Sequence, residues 1–468
     1  MRHKDCEVQT DEAEFLLQNV NRKGDLTAEG GDERVEIQSG SWYNPRETLM
    51  RKSGRKCICM LIILIIVGGA GFMFLASYCP DAVCMSMMSL TPKAPTRQSQ
   101  TKTPKALTRQ SQTHINNNNN DIFNKDPFDF NIDGVGRPLP DVARMFASFA
   151  DVTSQDFQFD IEDHDVIVFL HIQKTGGTIF GKHLVDHLDV ARRCVCHRRV
   201  KKRCTCLRPG PHSDERWLFS RHSTGWKCGL HADWTELTSC VDDMMDKIEG
   251  QEIKRRYFYI TILRNPIHRF ISEFQHVRRG ATWKTTRLFC NGRSATKKEM
   301  PPCYTTETWE NVTLEEFMTC ESNLAINRQT RMLADLSLVQ CYNKAMMSPE
   351  ERDNTLLLSA KNNLRKMAFF GLTEQQEVNQ YLFEETFNLK FKKRFLQYNQ
   401  TISETTLQDI DPKILERIRD LNRLDVELYD YAHRLLRYRF DILKAQDPHF
   451  EEHYENMGNI NFSWESLN

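Results

Sequence analysis

The chain has 468 residues, 27% charged and 40% hydrophobic, with 63 basic and 63 acidic side chains. That is ordinary globular composition, enough for up to about three domains, and the cancelling charge excludes a nucleic-acid binder that relies on a global positive field. A mean hydropathy of −0.56 excludes a polytopic membrane protein and leaves room for one span.

Residues 1–56 are polar, mixed in charge and without periodic pattern, which predicts a mostly disordered cytosolic tail. Residues 57–78 read as a transmembrane signal-anchor helix. The run from Ile58 to Tyr78 carries no charge, and at 1.5 Å per residue it reaches roughly 32 Å, enough for a bilayer core. Arg51, Lys52, Arg55 and Lys56 precede it, whereas Asp81 follows and the next basic residue is Lys93. The positive-inside rule then predicts a type II topology, with the remainder in a lumen or outside. Cys57 and Cys59 at the membrane edge are palmitoylation candidates or lipid-facing spectators. Residues 79–149 form a low-complexity stem. Thr91–Thr101 recurs as Thr103–Thr113 with one substitution, and Asn116–Asn120 follows; such a segment lacks the apolar area to offset its ordering entropy.

Residues 150–445 are the globular part, and 446–468 a C-terminal tail. Asp165–Ile172, Arg256–Leu263 and Met367–Gly371 are short apolar runs that predict buried strands. Leu314–Cys320, Leu356–Leu364 and Lys413–Tyr438 carry apolar residues at helical spacing. The alternation predicts an α/β domain with a central parallel sheet flanked by helices. The sequons at Asn311, Asn399 and Asn461 all follow the span, as do twelve of the fifteen cysteines. Both agree with a lumenal domain in an oxidising compartment.

The first strand runs into Gln173-Lys174-Thr175-Gly176-Gly177-Thr178, ahead of a helical pattern. A strand, a glycine turn and a helix start make an anion site, with converging N–H groups and the positive end of the helix dipole; a plain βα turn is the bland alternative. The lysine precedes the glycines, so the Walker A pattern is not met. This disfavours a P-loop kinase and leaves other phosphate or sulfate esters open. The second strand ends at Arg264, where open α/β sheets bind ligands, and Ser272 falls about two turns into the next helix. Arg269 in that helix reads as a surface residue. Between Asp189 and Asp214 stand eight basic residues and no acid (Arg192, Arg193, Arg198, Arg199, Lys201, Lys202, Arg203 and Arg208), a patch suited to a polyanion. Cys194-Val-Cys196 and Cys204-Thr-Cys206 in the same loop could bind zinc, but in an oxidising lumen such pairs read as disulfides; with Cys228, Cys240, Cys290, Cys303, Cys320 and Cys341 they make ten candidates of open connectivity.

Lys174–Thr178, with Arg264 and Ser272 after a later strand, resembles the sulfotransferase superfamily and its P-loop-like domain. Trp217–Arg221, Thr224–Thr238, Arg279–Thr285, Asn327–Gln329, Arg331–Leu338 and Ala368–Glu374 narrow the resemblance to the heparan-sulfate 6-O-sulfotransferase family, over roughly residues 150–440. The resemblance implies a PAPS-dependent Golgi enzyme that sulfates the C6 hydroxyl of glucosamine in heparan sulfate, with no metal. It implies that His171, Ile172, Gln173, Lys174, Thr175, Gly176, Gly177, Thr178 and Ile179 cradle PAPS, that Arg264 and Ser272 hold its 3′-phosphate, and that Leu396, Gln397 and Tyr398 close over it. The arginine that the family tends to carry after the sequon threonine is Ile402 here, so that contact lacks its residue. His231 aligns with the general base, and Lys174 would stabilise the leaving phosphate. Lys202, Arg203, Arg221, Trp226, His231, His276 and Trp283 align with acceptor contacts. Without the resemblance, His231 beside Trp226 and Trp234 reads as a packed structural histidine. A heparin-binding protein that keeps the fold without catalysis is the alternative, and the presence of His231 and Lys174 argues against it.

Overall fold

Four parallel strands carry the site. They are β1 (Asp165–Leu170), β4 (Leu218–Phe219), β5 (Arg256–Leu263) and β8 (Phe369–Leu372), in the order β4-β1-β5-β8. In the register, Ile167 is opposite Leu218 and Phe258, and Ile260 is opposite Phe369. All six residues of β1 are buried. A strand covered on both faces needs a continuous apolar run rather than an alternation, and each buried Val, Ile, Leu or Phe contributes about 1.5–3 kcal/mol. Two hairpins lie outside this sheet: β2 (Val195–His197) with β3 (Arg203–Thr205), and β6 (Phe289–Cys290) with β7 (Arg293–Ser294).

The structure, a computed structural model, describes residues 147–154, 157–197, 203–397 and 406–462. The predicted tail, span and stem, together with Lys202, Tyr398, Asn399 and Ile402, lie outside these residues. Among the described residues no helix is long and apolar enough to cross a membrane.

The helices are α1 (Phe149–Val152), α2 (Gly177–Asp186), α3 (Trp234–Thr238), α4 (Val241–Glu249), α5 (Pro266–Arg278), α6 (Leu314–Thr319), α7 (Arg328–Leu333), α8 (Pro349–Lys366), α9 (Gln376–Phe387), α10 (Pro412–Leu421), α11 (Arg423–Gln446) and α12 (Phe450–Glu455). Local chemistry sets their starts. Asn265 accepts hydrogen bonds from the N–H groups of Ile267 (3.1 Å) and His268 (3.3 Å) ahead of Pro266 at the first position of α5, the usual N-terminal pairing of a capping side chain with proline. The run expected as one helix over Lys413–Tyr438 is two, α10 and α11. Asn422 separates them: its Nδ2 donates to Ile418 O (2.9 Å) and its Oδ1 accepts from Asn327 N (3.1 Å).

The fourth strand, β4, has only two residues, too short for any periodicity to reveal. Chain order along the sheet reverses at β1, since β4 lies on one side and β5 on the other. In open α/β sheets ligands bind at such a reversal, beyond the carboxyl ends of the strands. Packing continues past residue 445, where Phe450 and Met457 join the main core. A second core gathers Phe270, Phe274, Val277, Phe317 and Ile418 between α5, α6 and α10. Five disulfides use all ten candidate cysteines: Cys194–Cys206, Cys196–Cys204, Cys228–Cys240, Cys290–Cys341 and Cys303–Cys320. The C-x-C pairs are thus disulfides across the β2–β3 hairpin, not zinc ligands.

Candidate active site

The turn after β1 is held in a shape that exposes the start of α2. His171, Ile172, Gln173, Thr175 and Gly177 are buried, Lys174, Gly176 and Thr178 half-buried, and Ile179 exposed. Lys174 takes φ +64° and Gly176 φ +78°. The left-handed conformation costs a non-glycine residue about 1–2 kcal/mol, so the surroundings must impose it on Lys174. Three bonds do so. Thr175 Oγ1 donates to Ile172 O (3.1 Å), and Thr373 Oγ1, just after β8, donates to Thr175 O (2.7 Å). Arg264 Nη1 donates to Lys174 O (3.2 Å). Gly176, the N-cap of α2, has no side chain to cap the first N–H groups, which leaves them to an anion.

Arg264 therefore meets the Lys174 turn directly, so the structure brings together the two elements that the sequence offered as anion sites. Gln329 clasps Arg264: the Arg264 N–H donates to its Oε1 (2.8 Å), and its Nε2 donates to Arg264 O (2.9 Å). Gln329 lies in α7, whose first N–H groups Asp425 caps by accepting from Gln329 N (3.1 Å), Thr330 N (2.7 Å) and Thr330 Oγ1 (2.8 Å). Ser272 is half-buried on α5. Leu396 and Gln397 are exposed. Gln397 Oε1 accepts from Gln376 N (3.3 Å), and Gln376 Nε2 donates to Thr373 O (2.8 Å), which ties this segment to the threonine that pins the turn.

His231 closes the other wall. Its Nδ1 lies 2.9 Å from His171 O. A carbonyl only accepts, so Nδ1 carries the proton and the neutral ring has its lone pair on Nε2. Its ring centre is 4.5 Å from Trp226, 4.9 Å from His171 and 5.3 Å from Trp283, and Trp283 lies 5.6 Å from His276. Burial drives the His231 pKa down to about 3, against the raising effect of the His171 carbonyl, with Arg221 and Arg328 lowering it further. Burial also holds His171 well below its ordinary value. Arg221 Nη1 donates to Thr178 Oγ1 (3.0 Å), and its guanidinium lies 5.5 Å from the Trp226 ring centre. Arg203, in β3, lies against the backbone at Gly225, where an added Cβ would be 3.3 Å from its guanidinium carbon.

Two expectations need correction. Arg269 is not a surface residue; it is fully buried and paired with Glu273. Glu273 also binds Arg328, and although burial pushes its pKa up, the two guanidinium groups outweigh that and hold it at about 2. Arg208 does not belong to the exposed basic patch. It is buried and donates to Asp165 O (2.6 Å) and Arg216 O (3.1 Å). Arg192 likewise spends a guanidinium N–H on backbone carbonyls of Arg208 and Ser213. Sequence reasoning did not assign roles to Gln329, Thr373 or Glu273, whose importance lies in contacts across 55 to 198 residues of chain.

Residues 157–432 match the family described as "Sulfotransferase family". Heparan-sulfate 6-O-sulfotransferase 2 of Danio rerio is 55% identical over 298 residues, 63% of this chain and 63% of that protein. Heparan-sulfate 6-O-sulfotransferase 2 of Gallus gallus is 50% identical over 325 residues, 65% of this chain and 79% of that protein. Heparan-sulfate 6-O-sulfotransferase 1 of Homo sapiens is 54% identical over 288 residues, 61% of this chain and 69% of that protein. The match thus spans a little less than two thirds of the zebrafish relative and more of the other two. With more than half of its length matched by the family, the chain belongs to the sulfotransferase family.

Proposed function

We propose that this chain is a heparan-sulfate 6-O-sulfotransferase, which moves the sulfuryl group of PAPS to the C6 hydroxyl of glucosamine residues in heparan sulfate. The observation that carries the reading is the bond from His231 Nδ1 to His171 O, which fixes a neutral base beside the anion turn.

The residues fit the donor. Uncapped N–H groups at the start of α2, Lys174, and Arg264 on the Lys174 carbonyl supply a positive field without a metal. Buried Nδ1 of His171 and Oε1 of Gln173 have no hydrogen-bond partner among the described residues, as expected of polar atoms at a ligand face. His171–Ile179 would hold the phosphosulfate end, Arg264 and Ser272 the 3′-phosphate, and Leu396, Gln397 and Tyr398 would cover it. PAPS supplies the sulfuryl group and a phosphate leaving group. His231 Nε2 accepts the proton of the sugar hydroxyl, and the Lys174 ammonium stands where negative charge develops. Lys202, Arg203, Arg221, Trp226, His276 and Trp283 orient the acceptor; Trp283 Nε1 is buried with no hydrogen-bond partner among the described residues, which supports its donating to a sugar oxygen.

We place the enzyme in the Golgi membrane as a single-pass type II protein with a lumenal domain. The charge flanking residues 57–78, the exposed sequon asparagines Asn311 and Asn461 and five disulfides support that topology. The deciding experiment incubates the full chain with labelled PAPS and desulfated heparan, then maps the label by disaccharide analysis. Label on glucosamine C6 is expected. Label on uronic-acid C2 or glucosamine C3 would overturn the acceptor assignment, and no label with heparin still bound would favour the non-catalytic binder.

A further inference from the structure

At the other end of β1, the turn entering the strand meets the loop that returns from the β2–β3 hairpin. Asp163 and His164 belong to the first and His212 to the second. One ligand atom from each, a carboxylate oxygen and two imidazole nitrogens, lie within 4.8 Å of one another. The two imidazole centres are 4.2 Å apart. Both rings turn their Nδ1 side toward one carboxylate: His164 Nδ1 is 2.8 Å from Glu215 Oε2 and His212 Nδ1 3.6 Å from Glu215 Oε1. Glu215 is itself 3% exposed and is backed by Arg208, with Nε at 3.4 Å.

We propose that Asp163, His164 and His212 form a divalent-metal site of zinc type, with Glu215 as its outer carboxylate. Two imidazoles and a carboxylate are a borderline donor set that suits zinc over calcium or magnesium. In neutral His164, donation from Nδ1 to Glu215 leaves the lone pair on Nε2. A carboxylate that fixes the tautomer and orientation of a ligating imidazole is the usual outer partner of such sites, and Glu215 is rigid enough to serve because it is buried and ion-paired. The inner groups are free to adjust. The side chains of His164 and His212 are 30% and 39% exposed, and Asp163 is exposed. Tetrahedral zinc with bonds of about 2.0–2.1 Å spaces its ligand atoms about 3.3 Å apart, so closure needs movements of roughly 1 Å. A fourth position would fall to water.

The contrast with another trio is informative. Glu385, Asp447 and His453 also cluster, but Lys390 holds Glu385 at 2.6 Å, and Asp447 accepts from Tyr381 (3.0 Å) and the His449 N–H (2.9 Å). Its oxygens serve the docking of α12. At the His164 site the six residues of β1 intervene before His171, about 20 Å at strand rise. The ion would therefore staple the 206–217 loop to the start of β1 and take no part in sulfuryl transfer.

The test uses the full chain stripped with a chelator and titrated with Co²⁺ alone, then Zn²⁺ alone. One equivalent of Co²⁺ with intense visible absorption of a four-coordinate site is expected, displaced by Zn²⁺, with a higher melting temperature in Zn²⁺. The double variant H164N/H212N should lose the absorption and the thermal shift. Asp163→Asn, a change at an exposed position, should weaken Zn²⁺ uptake at least about 10-fold while melting like the wild type in chelator, which separates loss of binding from loss of folding. No uptake by the wild type, weak six-coordinate absorption only, or uptake unchanged in both variants would overturn the site.

Discussion

His231 shows how one side chain is prepared by its surroundings. Burial keeps the imidazole neutral down to about pH 3, while the His171 carbonyl decides which nitrogen is basic. His231→Ala should lower kcat about 10²–10⁴-fold with heparin affinity nearly unchanged, read by steady-state kinetics beside heparin-column elution; unchanged kcat would remove it from the base role. The same burial predicts the pH profile. Between about pH 7.5 and pH 5.5 the free enzyme's His231 stays neutral, so kcat/KM should show no acid limb near the ordinary imidazole value. An inflection there would mean that the working base is solvated. Stability has the opposite sensitivity. The unfolded chain gains protons on histidine below about 6.5, whereas folded His231 waits until about 3 and His183 and His222 until about 4, with His171 also well lowered. A depressed histidine pKa therefore removes stability as pH falls. Asp233 works the other way, since burial and the charge of Glu236 raise it to about 7. His187 is lowered as well, and burial also raises Asp165, Glu236, Asp353 and Glu384. The unfolded chain takes up protons on all five imidazoles between pH 7 and pH 5, whereas a raised carboxyl offsets this only as far as its folded form binds a proton above pH 5, so urea denaturation at pH 5 should give a lower stability than at pH 7.

At the scale of elements, the turn between β1 and α2 depends on a missing side chain. A Cβ at Gly177 would lie 2.5 Å from a ring carbon of His171 and 3.2 Å from the Phe169 ring. Gly177→Ala should cost about 1–3 kcal/mol by overpacking. It should also cut turnover, because displacing His171 moves the carbonyl that orients His231. Denaturation and kcat measured on one preparation check both; a stable variant with full activity would contradict the packing argument. The sequence made this turn legible because strand, glycines and helix start are contiguous there. It made β1, β5 and β8 legible because strands buried on both faces are written as unbroken apolar runs. It did not reveal β4, where two residues carry no period. Nor did it reveal the break at Asn422, where a buried amide bonded to Ile418 and Asn327 overrides helical spacing. Arg208 and Arg269 were misread for one reason: charge reads as surface until a buried partner such as Asp165 O or Glu273 is known.

Across the whole molecule, cross-links bind the two walls of the site differently. Cys290–Cys341 spans 51 residues, a stretch that contains Arg328 and the Gln329 clasp on Arg264. Cys194–Cys206 and Cys196–Cys204 close nested loops of 12 and 8 residues that hold Arg203 against Gly225, at the edge proposed for the acceptor. Chain entropy makes the long loop worth about 4 kcal/mol and the eight-residue loop, alone, about 2.5 kcal/mol. The nested bridge should contribute less than its own loop suggests, because its neighbour already restrains the same hairpin. Paired serine replacement of Cys290 and Cys341 should therefore lower stability strongly and depress kcat, since Arg264 loses its fixed backing. Paired replacement of Cys196 and Cys204 should cost less stability, keep kcat, and raise KM for heparan. Urea titrations with full kinetics on the two variants separate these outcomes. Equal losses from both pairs would show that the cross-links act on the domain as one body, and that the Arg264 wall and the β2–β3 hairpin are not independently braced.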